Sequence, residues 1–429
     1  PSPILAAWGP GIVYSRLLRF RSGPSVPVPN IATECDLCAS WEQVDSTTYL
    51  FRLRKDVWWQ DIPPVYGRRL VAQDIAFSYR RQGNHNYPNA PLLENLKSVE
   101  VQDEETLRIV LEAPSADFLI GLASGFSKIV APEAVMLNGH LEDGPIIGSG
   151  PWLWDDTQDY MSYFFNANPD YYEYGLPSLD RLKIHVIEDE QTRLVAFRLK
   201  KIDIIEYPIE QFNDIRKIHP EMEFLLYREA GTGLELAIKD KEGPMHDLKV
   251  RKAIFSAIDP WDAIDTVWQG FGFVSMGMPV YNPDWMMPEE ELREYLGNLD
   301  RARDLLTDSG QSLPISLALT VADYGDAHLE YGEVLSKQLE SAGFQVNLSI
   351  INPINYVRDV WYGGGYSAFV GPIAPMTTPN MYLFSVLHSR GKWNTHSYNS
   401  SSLDMLIEEQ AISSDPFQRR DLVLEIQRH

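Results

Sequence analysis

Residues 315–350 carry the pattern that most restricts the fold of this chain. Large apolar residues alternate strictly over 315–321 and again over 344–350, which is the period of a β-strand. Between these stretches, the pattern from Ala327 to Ala342 predicts a helix that ends at Gly343. Two strands joined by a crossover of this length are typically parallel, because a short hairpin turn joins only antiparallel strands. This part of the chain is therefore predicted to fold as an α/β structure.

The segment 40–82 predicts a strand, a loop and a helix, in that order. Residues 49–54 alternate, with the two arginines on the less apolar side. Proline and glycine residues within 63–67 then predict a loop. Beyond the loop, Ala72, Ile75 and Tyr79 recur at helical spacing. The segment therefore reads as one supersecondary unit.

Several short motifs of this chain resemble, in the same order, those of the extracellular solute-binding proteins of family 5, the substrate-binding subunits of peptide- and nickel-type ABC importers. The motifs are Ser40-Trp41, Tyr49–Arg54, Ala72–Phe77, Ile147–Trp152, Asn168–Tyr172, Leu199–Ile204, Val250–Asp259 and Arg301–Leu306. In one of them Lys201 stands where the family usually has a glycine. The resemblance implies a two-lobe, periplasmic-binding-protein-like α/β fold of type II, with the extra peripheral subdomain of the peptide-binding cluster.

The resemblance also implies domain boundaries. Lobe I is expected to comprise residues 1–30 and 146–239, the peripheral subdomain residues 31–145, and lobe II residues 240–429, with the ligand cleft between the lobes. Family members carry about one more strand at the front and a final segment that returns to lobe I. We therefore expect this chain to be truncated at both ends.

Length and charge narrow the classes of function. At 429 residues the chain exceeds what a single hydrophobic core usually supports, which favours two or more lobes. The net charge of −23 argues against nucleic acid or an anionic membrane surface as the main partner. The sequence contains no apolar run of the roughly 20 residues that a membrane-spanning helix needs.

The sequence gives little support to catalysis or to a cofactor. It lacks a Walker loop, the His-Glu-x-x-His motif and the Gly-x-Ser-x-Gly motif. The only cysteines, Cys35 and Cys38, lack a second pair that would complete a zinc site, and they predict either a short disulfide or two packed thiols. The nine histidines are scattered, and His388 and His396 are the only close pair in lobe II. We expect no enzyme activity, no metal and no cofactor.

Aromatic residues are the better indication of a binding site. They concentrate beside the glycine run 363–365 and the loop 371–375, where aromatic faces can stack on a sugar or grip side chains. The predicted ligand-binding residues are Trp361, Tyr366, Gly371, Trp393, Asn394 and Tyr398 in lobe II, with Trp8, Tyr14, Gly231 and Thr232 in lobe I.

One departure from the family bears on the ligand. Peptide-binding relatives carry an acidic residue after the strand that matches 366–370, and this acid pairs with the free amino group of the ligand. Residues 371–380 of this chain contain no acid. This predicts a ligand without an obligatory ammonium group, such as an oligosaccharide, a blocked peptide or another polar metabolite.

The resemblance implies a substrate-binding receptor of an ABC importer. It would capture a peptide-like or oligosaccharide-like solute by hinge closure and deliver it to a membrane permease. We expect a monomer at the periplasmic or extracellular face of the cytoplasmic membrane, a location compatible with a lipid anchor, and no nucleic-acid partner. Two alternatives remain open: a ligand-sensing domain of a transcription regulator, and a hydrolase acting on a glycan or peptide.

Overall fold

The computed structural model describes the chain except for residues 1–8, 24–25, 27–30, 85, 88, 94, 156–160, 208, 227–232, 240–242, 277–284 and 374–377, and the side chain of residue 210. The described residues form two compact units. The first ends at Ile205, and the second extends from Glu206 to His429.

The first unit contains three antiparallel sheets. Its strands are β1 (Leu18–Phe20), β2 (Thr33–Cys35), β3 (Cys38–Asp45), β4 (Thr48–Leu53), β5 (Leu96–Val101), β6 (Thr106–Leu111), β7 (Trp152–Trp154), β8 (Ser162–Ala167) and β9 (Arg181–His185). The sheets have the strand orders β1-β2, β3-β4-β6-β5 and β7-β8-β9. The α-helices of this unit are α1 (Ala72–Gln82), α2 (Phe118–Ala123), α3 (Pro132–Met136) and α4 (Glu190–Arg198).

The strand and helix predicted within 40–82 are confirmed as β4 and α1. Along β4 the apolar side chains Tyr49, Phe51 and Leu53 are buried while Arg52 is exposed, as the alternation requires. Ile75 and Tyr79 of α1 are fully buried in the same apolar core. This core positions α1 beside the four-stranded sheet.

Two of the recognised motifs have a structural role in the first unit. A Cβ atom added to Gly148 would lie 2.0 Å from the carbonyl oxygen of Val13, so only glycine allows this close approach of two backbones. The amide of Gly150 donates to the same carbonyl at 2.9 Å, and the carbonyl of Gly150 accepts from Asn168 Nδ2 at 2.8 Å. The two motifs 147–152 and 168–172 therefore hold each other in place.

The second unit is built on one four-stranded sheet. Its strands are β10 (Leu234–Ile238), β11 (Ile315–Ala322), β12 (Phe344–Ile351) and β13 (Ala368–Pro372), in the order β10-β13-β11-β12. Its α-helices are α5 (Phe212–Ile218), α6 (Leu248–Ala257), α7 (Pro260–Val267), α8 (Glu289–Leu292), α9 (Leu299–Ser309), α10 (Asp326–Ala342), α11 (Pro353–Asn355), α12 (Pro379–Tyr382), α13 (Ser401–Ile412) and α14 (Pro416–Arg428). Two π-helical turns, Tyr356–Trp361 and Leu383–Leu387, continue α11 and α12.

The predicted βαβ unit is confirmed by β11, α10 and β12. The two strands are parallel, with Ile315 opposite Phe344 at one end and Ala322 opposite Ile351 at the other. Strand β13 also runs parallel to β11, whereas β10 pairs with β13 in the antiparallel sense. Apolar side chains cover both faces of this sheet, because Val370 belongs to one buried cluster and its neighbour Phe369 to another.

The division between the units differs from the predicted boundary at 239/240. The structure assigns residues 206–239 to the second unit, because β10 is an edge strand of that unit's sheet. Residues 31–145 belong to the same compact unit as residues 146–205. The partner of β10, strand β13, lies far along the chain, so local sequence patterns give no sign of this pairing. The predicted lobe boundaries stay a prediction.

Candidate functional site

Aromatic residues form a buried cluster on one face of the sheet of the second unit. The aromatic cluster, as we call it below, consists of Trp285, Tyr356, Trp361, Tyr366, Phe369 and Tyr382. Phe369 lies at its centre and makes edge-on ring contacts with Tyr356, Trp361 and Tyr366, with ring centroids 4.7 to 6.4 Å apart. Such edge-on contacts are the favourable geometry for aromatic pairs.

The structure brings several of the predicted ligand-binding residues together here. Trp361 and Tyr366 are 5 % and 8 % exposed, so they belong to the core of the unit in this conformation. Trp393 and Tyr398 are partly buried and pack against the same cluster. The aromatic concentration seen in the sequence therefore corresponds to one spatial group.

Three buried polar atoms in this group have no hydrogen-bond partner among the residues that the structure describes. They are Trp361 Nε1, Trp393 Nε1 and Asn394 Oδ1. The amide nitrogen of Asn394, in contrast, donates to the carbonyls of His388 and Tyr398 at 3.0 and 2.8 Å. Buried polar groups usually find partners, so these atoms are candidates to bond a solute or water.

Gly371 has a packing role at the edge of the aromatic cluster. A Cβ atom at this position would lie 2.5 Å from the ring of Tyr356, so the ring occupies the space that a side chain would need. The Tyr356 hydroxyl donates to the carbonyl of Pro372 at 3.2 Å. Glycine at 371 thus allows the ring of Tyr356 to approach the end of β13 closely.

The sequence analysis did not single out Glu235, which lies on β10 directly opposite Gly371. Its side chain is 8 % exposed and accepts a hydrogen bond of 2.8 Å from the Tyr382 hydroxyl. Burial raises the pKa of Glu235 to about 7, and the hydrogen bond from Tyr382 opposes this shift. A single acid among apolar strand residues gives no periodic signal, so only the strand pairing shows its surroundings.

The phenol groups around Glu235 are also perturbed. Burial is the main cause that raises the pKa of Tyr366 to about 12, and the negative charge of Glu235 adds to it. The same two causes, in the same order, raise the pKa values of Tyr356 and Tyr382 well above the ordinary value. All three tyrosines are therefore neutral hydrogen-bonding groups around one carboxyl at physiological pH.

Of the ligand-binding residues predicted for lobe I, the structure describes only Tyr14. Its hydroxyl group is held by a hydrogen bond with the backbone of Ile147, and burial raises its pKa to about 12. Trp8, Gly231 and Thr232 lie outside the described residues. Their assignment to the site remains a prediction.

The two cysteines form a disulfide, which settles the alternative that the sequence left open for Cys35 and Cys38. Within the described part of the chain, no group of three or more His, Cys, Asp and Glu side chains is arranged to hold a metal ion. His388 is 1 % exposed, and its ring contacts the Glu408 carboxylate at 3.2 Å and the Arg390 amide at 3.0 Å. None of the described helices is long and apolar enough to cross a membrane.

The chain matches the model of one protein family over most of its length. Residues 27–395 match the middle region of the bacterial extracellular solute-binding proteins, family 5. The match includes residues of both compact units.

Individual relatives agree with this match. The chain is 30% identical to heme-binding protein A of Haemophilus influenzae over 321 residues, which is 70% of this chain and 56% of the relative. It is 27% identical to the dipeptide-binding protein of Escherichia coli over 330 residues, which is 72% of this chain and 59% of the relative. These alignments thus span somewhat over half the length of the two relatives.

A solved structure shows the same fold. HbpA2 from Haemophilus parasuis superimposes with a TM-score of 0.80 at 24% sequence identity, and the superposition covers 99% of this chain and 87% of that one. The predicted two-lobe, periplasmic-binding-protein-like fold is therefore confirmed.

Proposed function

Because the chain belongs to the bacterial extracellular solute-binding proteins of family 5, we propose that it is the solute receptor of an ABC importer. The observation that carries the proposal is the family match over residues 27–395. A receptor of this kind forms and breaks no covalent bond. Its work is to bind a solute selectively and to present it to a permease.

We further propose that the solute is peptide-like. The relative from Escherichia coli is a dipeptide-binding protein, and it matches 72% of this chain. The aromatic cluster and the unpartnered polar atoms of Trp361, Trp393 and Asn394 are a suitable environment for peptide side chains and backbone amides. An oligosaccharide is the other class that the sequence predicts, since sugars also stack on aromatic rings.

Haem is a second candidate solute, because the relative with 30% identity is a heme-binding protein. The test of the proposal must therefore measure binding of haem as well as binding of peptides. The relatives named above are binding proteins, which supports a receptor over a regulator domain or a hydrolase.

The remaining features of the proposal follow from the family. Capture would occur by hinge closure on the solute, and the closed form would be recognised by the permease subunits. The protein would act as a monomer on the outer side of the cytoplasmic membrane, with or without a lipid anchor. The acidic surface implied by the net charge of −23 suits a soluble receptor that does not adhere to anionic lipid.

Native mass spectrometry of the purified protein, with denaturing release of anything bound, tests the proposal first. We expect a stoichiometric small molecule of peptide class, and isothermal titration with di- to tetrapeptides should then give a one-to-one complex. Haem is titrated in parallel and followed by its absorption spectrum. Binding of haem alone, or of a sugar alone, would contradict the peptide assignment, and turnover of a bound peptide would contradict the receptor assignment.

A further inference from the structure

Glu235 is a buried acid for which the fold supplies no cation. Its side chain is 8 % exposed, and it forms no ion pair with any residue that the structure describes. Within that part of the chain its one hydrogen bond comes from Tyr382, at 2.8 Å. A carboxylate can accept about four hydrogen bonds, so most of the capacity of this group is unused.

The neighbouring tyrosines do not use that capacity. The Tyr356 hydroxyl donates to the carbonyl of Pro372 at 3.2 Å, and the Tyr366 hydroxyl is paired with the Thr395 hydroxyl at 3.1 Å. Both rings still lie close enough to Glu235 for its charge to raise their pKa values. The acid therefore has aromatic rings around it and one neutral donor beside it.

This arrangement favours a positively charged guest. Aromatic faces attract cations through the ring quadrupole, and an ionised carboxylate attracts them directly. Lys239 illustrates the first effect in the same unit, because its Nζ lies 5.6 Å from the centre of the Tyr366 ring. That ammonium group is held elsewhere, however, since Lys239 Nζ donates to the carbonyl of Gly364 at 2.6 Å.

The position of Glu235 in the sheet agrees with a binding role. Strands β11, β12 and β13 are parallel, and Gly371 lies in the last two residues of β13. Because β10 runs antiparallel to β13, Glu235 near its start lies at the carboxyl ends of the parallel strands. Ligands of open α/β sheets bind at these ends.

We propose that Glu235 is a ligand-binding residue that pairs with a primary ammonium group of the solute. The inference rests on the proposed function and specifies the chemistry of that site. The ammonium group can be the amino terminus of a peptide or the side chain of a lysine. This proposal differs from the sequence-based prediction of a solute without an ammonium group, because that prediction considered only residues 371–380.

The alternative role for Glu235 is purely structural. In that case the carboxyl group stays protonated and serves only as the acceptor for Tyr382. A structural acid would not distinguish solutes that differ only in a charged nitrogen. The two roles therefore predict different results with matched peptides.

The test is calorimetric titration of the full chain with three probes: trialanine, N-acetyl-trialanine, and N-acetyl-alanyl-lysyl-alanine. We expect the wild-type protein to bind at least one ammonium-bearing probe at least tenfold more tightly than N-acetyl-trialanine. Whether trialanine or the lysine peptide binds more tightly identifies the source of the ammonium group.

The variant Glu235→Gln keeps the shape of the side chain and an acceptor for Tyr382. We expect it to lose at least tenfold in affinity for the preferred ammonium probe and to bind N-acetyl-trialanine as the wild type does. Glu333→Gln, at an exposed position of α10, is the matched control and should change neither affinity. Circular dichroism of each variant shows that it is folded.

Two results would overturn the inference, and they can be told apart. If the wild-type protein binds all three probes equally, or if Glu235→Gln matches the wild type, Glu235 does not recognise an ammonium group, while the receptor function stands. The comparison of blocked and unblocked probes on the wild-type protein needs no variant to fold. If the wild-type protein binds none of the three peptides, the peptide class fails and the inference fails with it.

Discussion

Asp74 in the first unit and Glu235 in the second are both more than nine-tenths buried, but their surroundings are opposite. Asp74 is 2 % exposed and accepts two hydrogen bonds from the Arg68 guanidinium, at 2.7 and 2.8 Å. It also accepts from Trp59 Nε1 at 3.1 Å and from the Val71 amide at 3.0 Å. Asp74 therefore accepts four hydrogen bonds from the fold itself, about as many as a carboxylate can accept.

Glu235, in contrast, is a buried acid whose capacity to accept hydrogen bonds is mostly unused by the fold. It has one neutral donor, Tyr382, and no cation among the described residues. The contrast separates two uses of a buried carboxyl group. Asp74 fixes the first turn of α1 and is part of the scaffold, whereas Glu235 keeps free acceptor capacity at the end of a sheet.

The largest effect that this comparison predicts is the loss of stability on replacing Asp74 by Asn. Arg68 donates to both carboxylate oxygens, so in either orientation the amide nitrogen would face a donor of the guanidinium, which would also lose its most buried charged partner. We expect the free energy of unfolding to fall by about 3 to 5 kcal/mol, as for other broken buried pairs. Urea denaturation measures it, with the transition of the first unit fitted separately because a protein of two units can unfold in two steps.

The control for Asp74→Asn is Glu133→Gln on the other side of the same guanidinium. The Glu133 side chain is 36% exposed, and it contacts Arg68 at 2.5 Å. Because solvent screens this pair, we expect a loss of about 1 kcal/mol or less. Equal losses for the two variants would show that Asp74 is not the more important partner.

The second prediction concerns the pH dependence that Glu235 gives to stability. Burial raises the pKa of this acid from 4.5 to about 7, so the folded state binds more protons than the unfolded state between these pH values. Stability therefore decreases by about 3 kcal/mol as the pH rises from about 4.5 to 7. Glu235→Gln removes this dependence, and its stability relative to the wild type should improve as the pH increases.

The difference in stability between the wild type and Glu235→Gln separates the contribution of Glu235 from those of other titrating groups. Burial lowers the pKa of Lys128 to about 7, so that lysine makes the folded state more stable as the pH rises above 7, in both proteins alike. Thermal or urea unfolding of the wild type and of Glu235→Gln at pH 5, 6, 7 and 8 measures the difference. A difference that stays constant over this range would contradict the raised pKa.

The parts of the structure that could be predicted from the sequence are those with local patterns. Strand β4, helix α1 and the unit of β11, α10 and β12 follow from periodicity within short windows. The motif around Asp74 was recognised as a family signature, but its four hydrogen bonds depend on Arg68, Trp59 and Val71 together. These hydrogen bonds form only when the loop between β4 and α1 is folded.

The candidate site was predicted only in part. The aromatic residues near 361–366 stood out by composition, and the structure places them in one cluster. Glu235 did not stand out, because its significance depends on the pairing of β10 with β13 and on the tyrosines that surround it. Long-range strand pairing leaves no periodic signal at either strand, so the acid opposite Gly371 could only be seen in three dimensions.

The smallest predicted effect comes from Tyr382→Phe, which removes the one donor of Glu235. A hydrogen bond to an ionised group contributes more than one to a neutral group. We therefore expect the variant to lose about 1 kcal/mol of unfolding free energy at pH 5, where Glu235 is protonated, and about 2 kcal/mol at pH 8. Since the hydrogen bond lowers the pKa of Glu235, the variant should also move that pKa upward.

Tyr366→Phe is the matched control for this prediction, because the Tyr366 hydroxyl is paired with the neutral hydroxyl of Thr395. It should cost about 1 kcal/mol at both pH values. Urea unfolding of both variants at pH 5 and pH 8 gives the four values needed. If the loss for Tyr382→Phe is as independent of pH as the loss for Tyr366→Phe, then Glu235 does not ionise in the folded protein below pH 8. An acid that never ionises would be part of the scaffold after all, and the contrast between Glu235 and Asp74 would be one of partners rather than of role.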